Sequence, residues 1–130
     1  MNYHYLAIDF GESNVGFAVS NGSLAKPLQI FKYPQGNYQF LKVHIFKLIE
    51  ANNPAVIVVG IPANDISSSK IKNIFLSLIF EGSELKQRVV WANEDFSTKE
   101  ATLLKKRRRL REDSIAASII LENYINNIIN

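Results

Sequence analysis

Apolar residues along this chain occur in two kinds of run, short continuous stretches and longer stretches with helical spacing. The short stretches predict five strands, over residues 3–9, 15–20, 28–33, 55–60 and 88–92. The longer ones predict helices over residues 38–51, 67–81 and 114–129, and a partly helical segment over residues 98–111. The 55–60 stretch is apolar on both faces, which is typical of a central strand that is covered on both sides.

Turn and capping residues separate these predicted elements. Asn21-Gly22 predicts a turn after the second strand, and Pro27 and Pro34 are expected to flank the third. Ser67–Ser69 is the expected cap of the second helix. The first helix carries an apolar stripe at helical spacing, formed by Phe40, Leu41, Ile45, Leu48 and Ile49.

The order of the elements predicts an α/β fold. Three strands come first, at least two of them linked as a hairpin, and strands then alternate with helices. Such an order implies a mixed sheet with helices packed on its faces. No repeat, linker or low-complexity segment divides the 130 residues, so we expect one domain over residues 1–130.

Composition excludes several classes of protein and site. The chain has no cysteine, which excludes disulfide scaffolds, thiolate metal sites and cysteine nucleophiles. Its longest apolar runs are too short to cross a bilayer, and residues 1–10 do not resemble a signal peptide. We therefore expect a cytoplasmic protein without membrane association.

Positive charge is concentrated in one segment. The net charge is only +3, but six of the seven residues from Lys105 to Arg111 are basic. A basic run on an otherwise balanced chain indicates an anionic partner, with nucleic acid the leading candidate. Charge alone leaves a second interpretation open, in which the run is a solvated helix face.

Three carboxylates occupy positions where sites are often built. Asp9 ends the first predicted strand, Glu94 follows the last one, and Asp113 begins the final helix. Sites in α/β sheets lie beyond the carboxyl ends of strands, and oxygen ligands suit Mg²⁺ or Mn²⁺. The alternatives are turn-forming or surface carboxylates, and for Asp113 a helix N-cap.

Four segments resemble the motifs of one known family, in the same order. They are Ile8-Asp9-Phe10-Gly11 with Val15-Gly16, the turn Gly60-Ile61-Pro62-Ala63-Asn64, Asn93-Glu94-Asp95-Phe96-Ser97-Thr98, and Glu112-Asp113-Ser114-Ile115-Ala116-Ala117. Together they span nearly the whole chain. The chain is similar to the YqgF (RuvX) family, Holliday-junction-resolvase-like proteins of the RNase H superfamily.

This resemblance implies a fold, a site and a function. The fold would be an RNase H-like, five-stranded mixed sheet whose first three strands are antiparallel. Asp9, Glu94 and Asp113 would be the catalytic carboxylates that bind Mg²⁺ or Mn²⁺. The function would be metal-dependent phosphodiester hydrolysis by a two-metal mechanism, chiefly in 5′-end maturation of precursor 16S rRNA. Precursor rRNA, with ribosomal particles as a further partner, is expected ahead of branched DNA, and the protein is expected to be a monomer or weak homodimer.

Further residues are expected to contact the nucleic acid. Four arginines next to Asp113 would bind backbone phosphates. The complete expected set is Ser13, Asn14, Asn64, Ser97, Thr98, Arg107, Arg108, Arg109 and Arg111. For Ser97 and Thr98, capping of the following helix is an equally open alternative. For Asn64, a purely local role in its turn is equally open. His4 and His44 are not expected in catalysis, and core packing is expected for the strand aromatics Tyr3, Tyr5, Phe10, Phe17 and Trp91.

The chain also departs from the family pattern. Ser13 and Asn14 stand where basic residues are usual, Asn93 replaces an aspartate, Asp95 replaces an arginine, and the glycine expected after Asp65 is missing. Because groups around metal ligands can change affinity or activity 10–100-fold, these changes motivate an alternative function, a weakly active or inactive RNA-binding or ribosome-assembly module. A Holliday-junction-type DNA resolvase is another alternative.

Phosphotransfer is a third class of function. Asp9, Gly11 and Gly16 resemble the first phosphate loop of actin-like ATPases and sugar kinases. Those proteins enclose a nucleotide between two domains, whereas this chain has the length of one domain and no second phosphate loop. The sequence therefore favours a nuclease or a nucleic-acid-binding module over a kinase.

Overall fold

A computed structural model describes residues 2–22, 24–93 and 113–129. The strands are β1 (Tyr5–Asp9), β2 (Asn14–Ser20), β3 (Lys26–Lys32), β4 (Val56–Ile61) and β5 (Val89–Asn93). The α-helices are α1 (Tyr38–Asn52), α2 (Asp65–Asn73) and α3 (Asp113–Ile129), with a π-helical segment at Ile74–Ile79 and a 3₁₀ helix at Glu84–Arg88. The predicted helical segment over 98–111 lies outside the described residues.

The five strands form one mixed sheet in the order β3-β2-β1-β4-β5. β2 is antiparallel to both β1 and β3, whereas β4 is parallel to both β1 and β5. The predicted five-stranded mixed sheet with three antiparallel strands at its start is therefore confirmed. Strands β1, β3, β4 and β5 all run in the same direction, so their carboxyl ends lie at one edge, here called the carboxyl edge.

Two predicted boundaries differ from the structure for identifiable reasons. The second helix was expected to start at a serine cap, but it starts at Asp65 because the side chain of Asn64 accepts a hydrogen bond from the Ser67 amide at 3.0 Å. Pro27 lies inside β3 rather than before it. A proline is tolerated there because β3 is the outermost described strand on its side of the sheet.

The two faces of the sheet are packed differently. One face, here called the α1 face, is packed by α1 and the π-helical segment, and large side chains that include Phe17, Phe75 and Phe80 are buried there. The other, here called the α3 face, is lined by smaller side chains, Ala7, Ala18, Val58 and Ala92, under Ala117, Ile120, Leu121 and Ile125 of α3. Because the distance between packed elements depends on the side chains between them, α3 can lie close to the strands.

None of the described helices is both long and apolar enough to cross a membrane.

Candidate functional site

Asp9 is the last residue of β1, the strand at the centre of the sheet. It is half-buried and pairs with Gly16 of β2. Side chains alternate between the faces of a strand, and Ala7, two residues earlier, belongs to the α3-face cluster. The Asp9 carboxylate is therefore at the carboxyl edge on the α3 face.

Helix α3 packs across this face. Near the start of β1, the Tyr5 ring contacts Tyr124 of α3 with a centroid distance of 6.3 Å. From Tyr124 back to Asp113 the helix extends about 16 Å, and from Tyr5 to Asp9 the strand extends about 13 Å. The helix is therefore long enough for its first turn, which begins at Asp113, to reach the level of Asp9.

The turn between β1 and β2 is held in place from the β3 side. The Tyr33 hydroxyl donates a hydrogen bond to the Gly11 carbonyl at 2.8 Å, and the Tyr33 amide donates to the Ser13 carbonyl at 3.0 Å. A Cβ atom at residue 11 would collide with the Asn14 carbonyl oxygen, so this close turn requires glycine. Burial, with smaller contributions from Tyr38 and Glu12, raises the pKa of Tyr33 to about 12, so the phenol stays protonated as a donor.

Glu12, in the same turn, is tied to two further segments, the one after β3 and helix α2. Its carboxylate accepts hydrogen bonds from the Gln35 amide at 2.8 Å and from the Lys70 ammonium at 3.3 Å. Both members of the Lys70 ion pair are more than half exposed, so the pair contributes little to stability. Sequence reasoning missed Glu12, Tyr33, Gln35 and Lys70, because these contacts join segments that are distant along the chain.

Two of the predicted nucleic-acid contacts lie in this turn and a third follows β4. Ser13 and Asn14 are exposed beyond Asp9, so both can reach a ligand at the carboxyl edge. Asn64 is exposed and acts as the N-cap of α2, which is the local role that the sequence left open. Its contact with nucleic acid stays a prediction.

The remaining predicted site residues have no described side chains. Asp113 is described only as the first residue of α3, and Glu94, Ser97, Thr98 and the four arginines lie outside the described residues. Asn93, which precedes Glu94, ends β5 opposite Ile61 of β4, again at the carboxyl edge. Within the described part of the chain, no three histidine, aspartate or glutamate side chains form a metal-binding group.

Neither histidine lies at the Asp9 site. His4 precedes β1 at the opposite edge of the sheet, and His44 stacks on Phe31 at the α1 face. Burial, with a smaller contribution from Lys47, lowers the pKa of His44 below its ordinary value of 6.5. Core packing is confirmed for the strand aromatics, with Phe17 fully buried and the others packed against the two clusters, namely Tyr3, Tyr5, Phe10 and Trp91.

A family model described as "RuvX: Holliday junction resolvase" matches residues 3–127 of this chain. Two similar proteins are each named "Putative pre-16S rRNA nuclease". The one from Mycoplasma capricolum is 25% identical over 138 residues and covers 96% of both chains. The one from Paraburkholderia xenovorans is 33% identical over 132 residues, covering 95% of this chain and 88% of its own.

Two solved structures share the fold. Thermus thermophilus RuvC in complex with a Holliday junction substrate has a TM-score of 0.56 at 13% identity, covering 89% of this chain and 90% of that one. Fowlpox virus resolvase in complex with Holliday junction DNA has a TM-score of 0.50 at 16% identity, covering 97% and 99%. At these identities the comparisons show an RNase H-like fold and nothing finer.

Proposed function

Because this chain belongs to the RuvX family of Holliday junction resolvases, a family of nucleases, we propose that it hydrolyses phosphodiester bonds at the carboxyl edge of its sheet. Its substrate is the 5′ region of precursor 16S rRNA, free or in ribosomal particles, and it acts in the cytoplasm as a monomer or weak homodimer. The observation that carries the proposal is the position of Asp9. It ends the central strand at the carboxyl edge, on the face covered by α3, a helix long enough for its first turn to reach the level of Asp9.

The donor set at this edge fits Mg²⁺ or Mn²⁺. Asp9 offers carboxylate oxygens from a half-buried position, and both described histidines are elsewhere, so the edge lacks the ligands that zinc prefers. Glu94 and Asp113 are the proposed partners of Asp9 in holding the ions. The chemistry that such ions supply is activation of a water molecule and stabilisation of the leaving oxygen.

The protein's own residues orient the substrate. Because Gly11 has no side chain, the turn after Asp9 can pack closely against the Asn14 carbonyl. Tyr33 fixes that turn through its hydrogen bond to the Gly11 carbonyl. Ser13 and Asn14, exposed in this turn, offer neutral hydrogen-bonding groups to the backbone of the bound strand. The arginines before Asp113 supply the positive charge for backbone phosphates.

The choice of RNA rests on the relatives named as pre-16S rRNA nucleases. The family description and the resolvase-like fold favour a second candidate, cleavage of branched DNA. A third candidate is a module that binds RNA without cutting it, favoured by the uncharged Ser13 and Asn14 in the exposed turn.

The test compares two carboxylate variants in the same turn. Wild type, Asp9→Asn and Glu12→Gln are incubated with labelled precursor-rRNA-like RNA and with a four-way DNA junction, in Mg²⁺, Mn²⁺ or EDTA. We expect wild type and Glu12→Gln to cleave the RNA only with metal, and Asp9→Asn to fall to the EDTA background. Glu12 is the matched control because it is a carboxylate of the same turn that is already paired with Gln35 and Lys70.

Each other outcome identifies a specific alternative. Cleavage by Asp9→Asn at the wild-type rate would disprove the assigned site. Cleavage of the junction but not of the RNA would establish the DNA candidate. Equal RNA binding by all three proteins without any cutting would establish the binding module.

A further inference from the structure

Beside the outer strand β3, helix α1 and β3 enclose an exposed pocket of about 430 Å³. Phe40, Val43, His44 and Lys47 recur at the spacing of one helix face and line it together with Phe31 of β3, Asn37 and Gln39. We call these residues the aromatic pocket. Its volume lies in the lower half of the range for pockets that bind small molecules.

Three rings of the aromatic pocket are nearly parallel. Phe31 stacks on His44 with a centroid distance of 3.7 Å and an angle of 4°, and on Phe40 with 5.6 Å and 18°. His44 is fixed by a hydrogen bond with Gln29. Phe40 remains 50% exposed, so the array offers an accessible flat aromatic surface.

The pocket combines its rings with a positive charge. Helix α1 carries two lysines, Lys42 and Lys47, against one carboxylate, Glu50. Lys47 lines the pocket itself, and Asn37 and Gln39 add polar side chains. Aromatic surface combined with positive charge is the composition of sites that bind single-stranded nucleic acid.

The sheet register relates this pocket to Asp9. Asp9 pairs with Gly16, which pairs with Ile30, so Phe31 lies one step further towards the carboxyl edge than the level of Asp9. Two strand spacings separate β1 from β3, about 10 Å. The turn after Asp9 and the segment before α1 are also joined directly by the Tyr33 and Gln35 hydrogen bonds. The pocket therefore lies near the carboxyl edge, on the α1 face of the sheet, whereas Asp9 belongs to the α3 face.

We propose that the aromatic pocket is a subsite for an unpaired base of the substrate strand. The base stacks on Phe40, which is 50% exposed, and Lys47 binds a flanking phosphate. The subsite rests on the proposed nuclease function, and it directs the enzyme to substrates with a single-stranded segment that extends past the carboxyl edge onto the α1 face. The parallel rings and the small volume favour a flat ring as the occupant over a protein segment.

Binding measured in EDTA tests the subsite independently of cleavage. A fluorescent single-stranded RNA and a blunt RNA duplex of the same length are titrated with wild type, Phe40→Ala, Phe40→Trp and Leu78→Ala. Leu78 is the matched control, since it is a large apolar residue with 48% exposure on the π-helical segment. We expect Phe40→Ala to weaken single-strand binding roughly 10-fold, the effect of losing one stacked base.

The other variants and the duplex make that result specific. Phe40→Trp should preserve single-strand binding, and RNA should quench the fluorescence of the indole it introduces. Leu78→Ala should bind both RNAs as wild type does, and duplex binding should be unchanged by Phe40→Ala. Equal weakening of duplex and single strand, or no effect of Phe40→Ala on either, would overturn the subsite.

The experiment also distinguishes an RNA-binding pocket from a surface through which two copies of the chain associate. A dimer seen by analytical ultracentrifugation that Phe40→Ala abolishes, with RNA binding intact, would assign the pocket to a second copy of the chain and overturn the proposal. If Asp9→Asn still cleaves while Phe40→Ala weakens single-strand binding, the nuclease assignment fails and the stacking surface stands. If Asp9→Asn is inactive while Phe40→Ala binds normally, only the subsite fails.

Discussion

The two faces of the sheet differ in the size of the side chains that pack on them. The α1 face buries Phe17, Phe75 and Phe80 completely, with Leu41 and Ile45 of α1. The α3 face has alanines at three strand positions and a fourth alanine, Ala117, on the helix itself. Large buried side chains contribute most to stability, whereas small ones let a helix lie close to the strands beneath it.

The difference teaches where stability and site geometry are controlled. Asp9 belongs to the face with small side chains, and α3, which begins at Asp113, can stay close to it only while those side chains remain small. The α1 face can absorb packing changes without moving α3. We therefore expect activity and stability to respond to different substitutions.

The largest separation is expected from overpacking the α3 face. Ala7→Leu adds three carbons beneath α3 at a fully buried position, which should cost about 1–3 kcal/mol of unfolding free energy. Because a 1 Å displacement of a catalytic group can cost about 100-fold in rate, RNA cleavage should fall by roughly that factor. Cleavage is measured below the thermal transition and normalised to folded protein by circular dichroism.

Val19→Leu is the control on the other face. Val19 is also fully buried but belongs to the α1-face cluster. It adds one carbon where Ala7→Leu adds three, so it should lose less stability, and it should keep near wild-type cleavage per folded molecule. Equal losses of cleavage in the two variants would show that the faces do not differ in their control of the site.

A smaller loss of stability is expected when the hydrogen bond between Tyr33 and the turn after Asp9 is removed. Tyr33→Phe removes the hydrogen bond to the Gly11 carbonyl, at a cost of about 1 kcal/mol. The raised pKa of Tyr33 adds a pH signature. The unfolded chain releases the phenol proton near pH 10 and the folded chain only at about pH 12, so this contribution to stability is present below pH 10 and is lost as pH rises towards 12.

Urea denaturation of wild type and Tyr33→Phe across that pH range measures this contribution. The difference in stability between the two proteins should shrink as pH rises from 10 to about 12. A difference that stays constant with pH would mean that Tyr33 titrates as an ordinary exposed tyrosine.

The pattern of apolar and polar residues predicted the strands of the sheet better than it predicted where each element begins. All five strands were expected near their observed positions because their apolar runs are short and bounded by turn residues. The start of α2 was wrong because the side chain of Asn64 competed successfully with the serines for the cap. Pattern alone could not anticipate that outcome, since both residue types are good caps.

The candidate site was predictable to a different degree. The sequence pattern placed Asp9 and Glu94 at the ends of strands, but only the family resemblance indicated that they form one site with Asp113. The aromatic pocket was missed because Phe31 counted towards a strand and Phe40 towards the apolar stripe of α1. Their contact depends on how α1 lies across β3, and Phe40 falls at the exposed margin of that stripe.

Metal binding by Asp9 tests the central claim most directly. Mn²⁺ binding to wild type, Asp9→Asn and Glu12→Gln is measured by electron paramagnetic resonance without nucleic acid. Removing a ligand should cost at least as much as removing an outer-shell partner, about 10–100-fold in affinity. We predict such a loss for Asp9→Asn and wild-type affinity for Glu12→Gln. Unchanged Mn²⁺ affinity in Asp9→Asn would contradict a metal-dependent centre at the carboxyl edge.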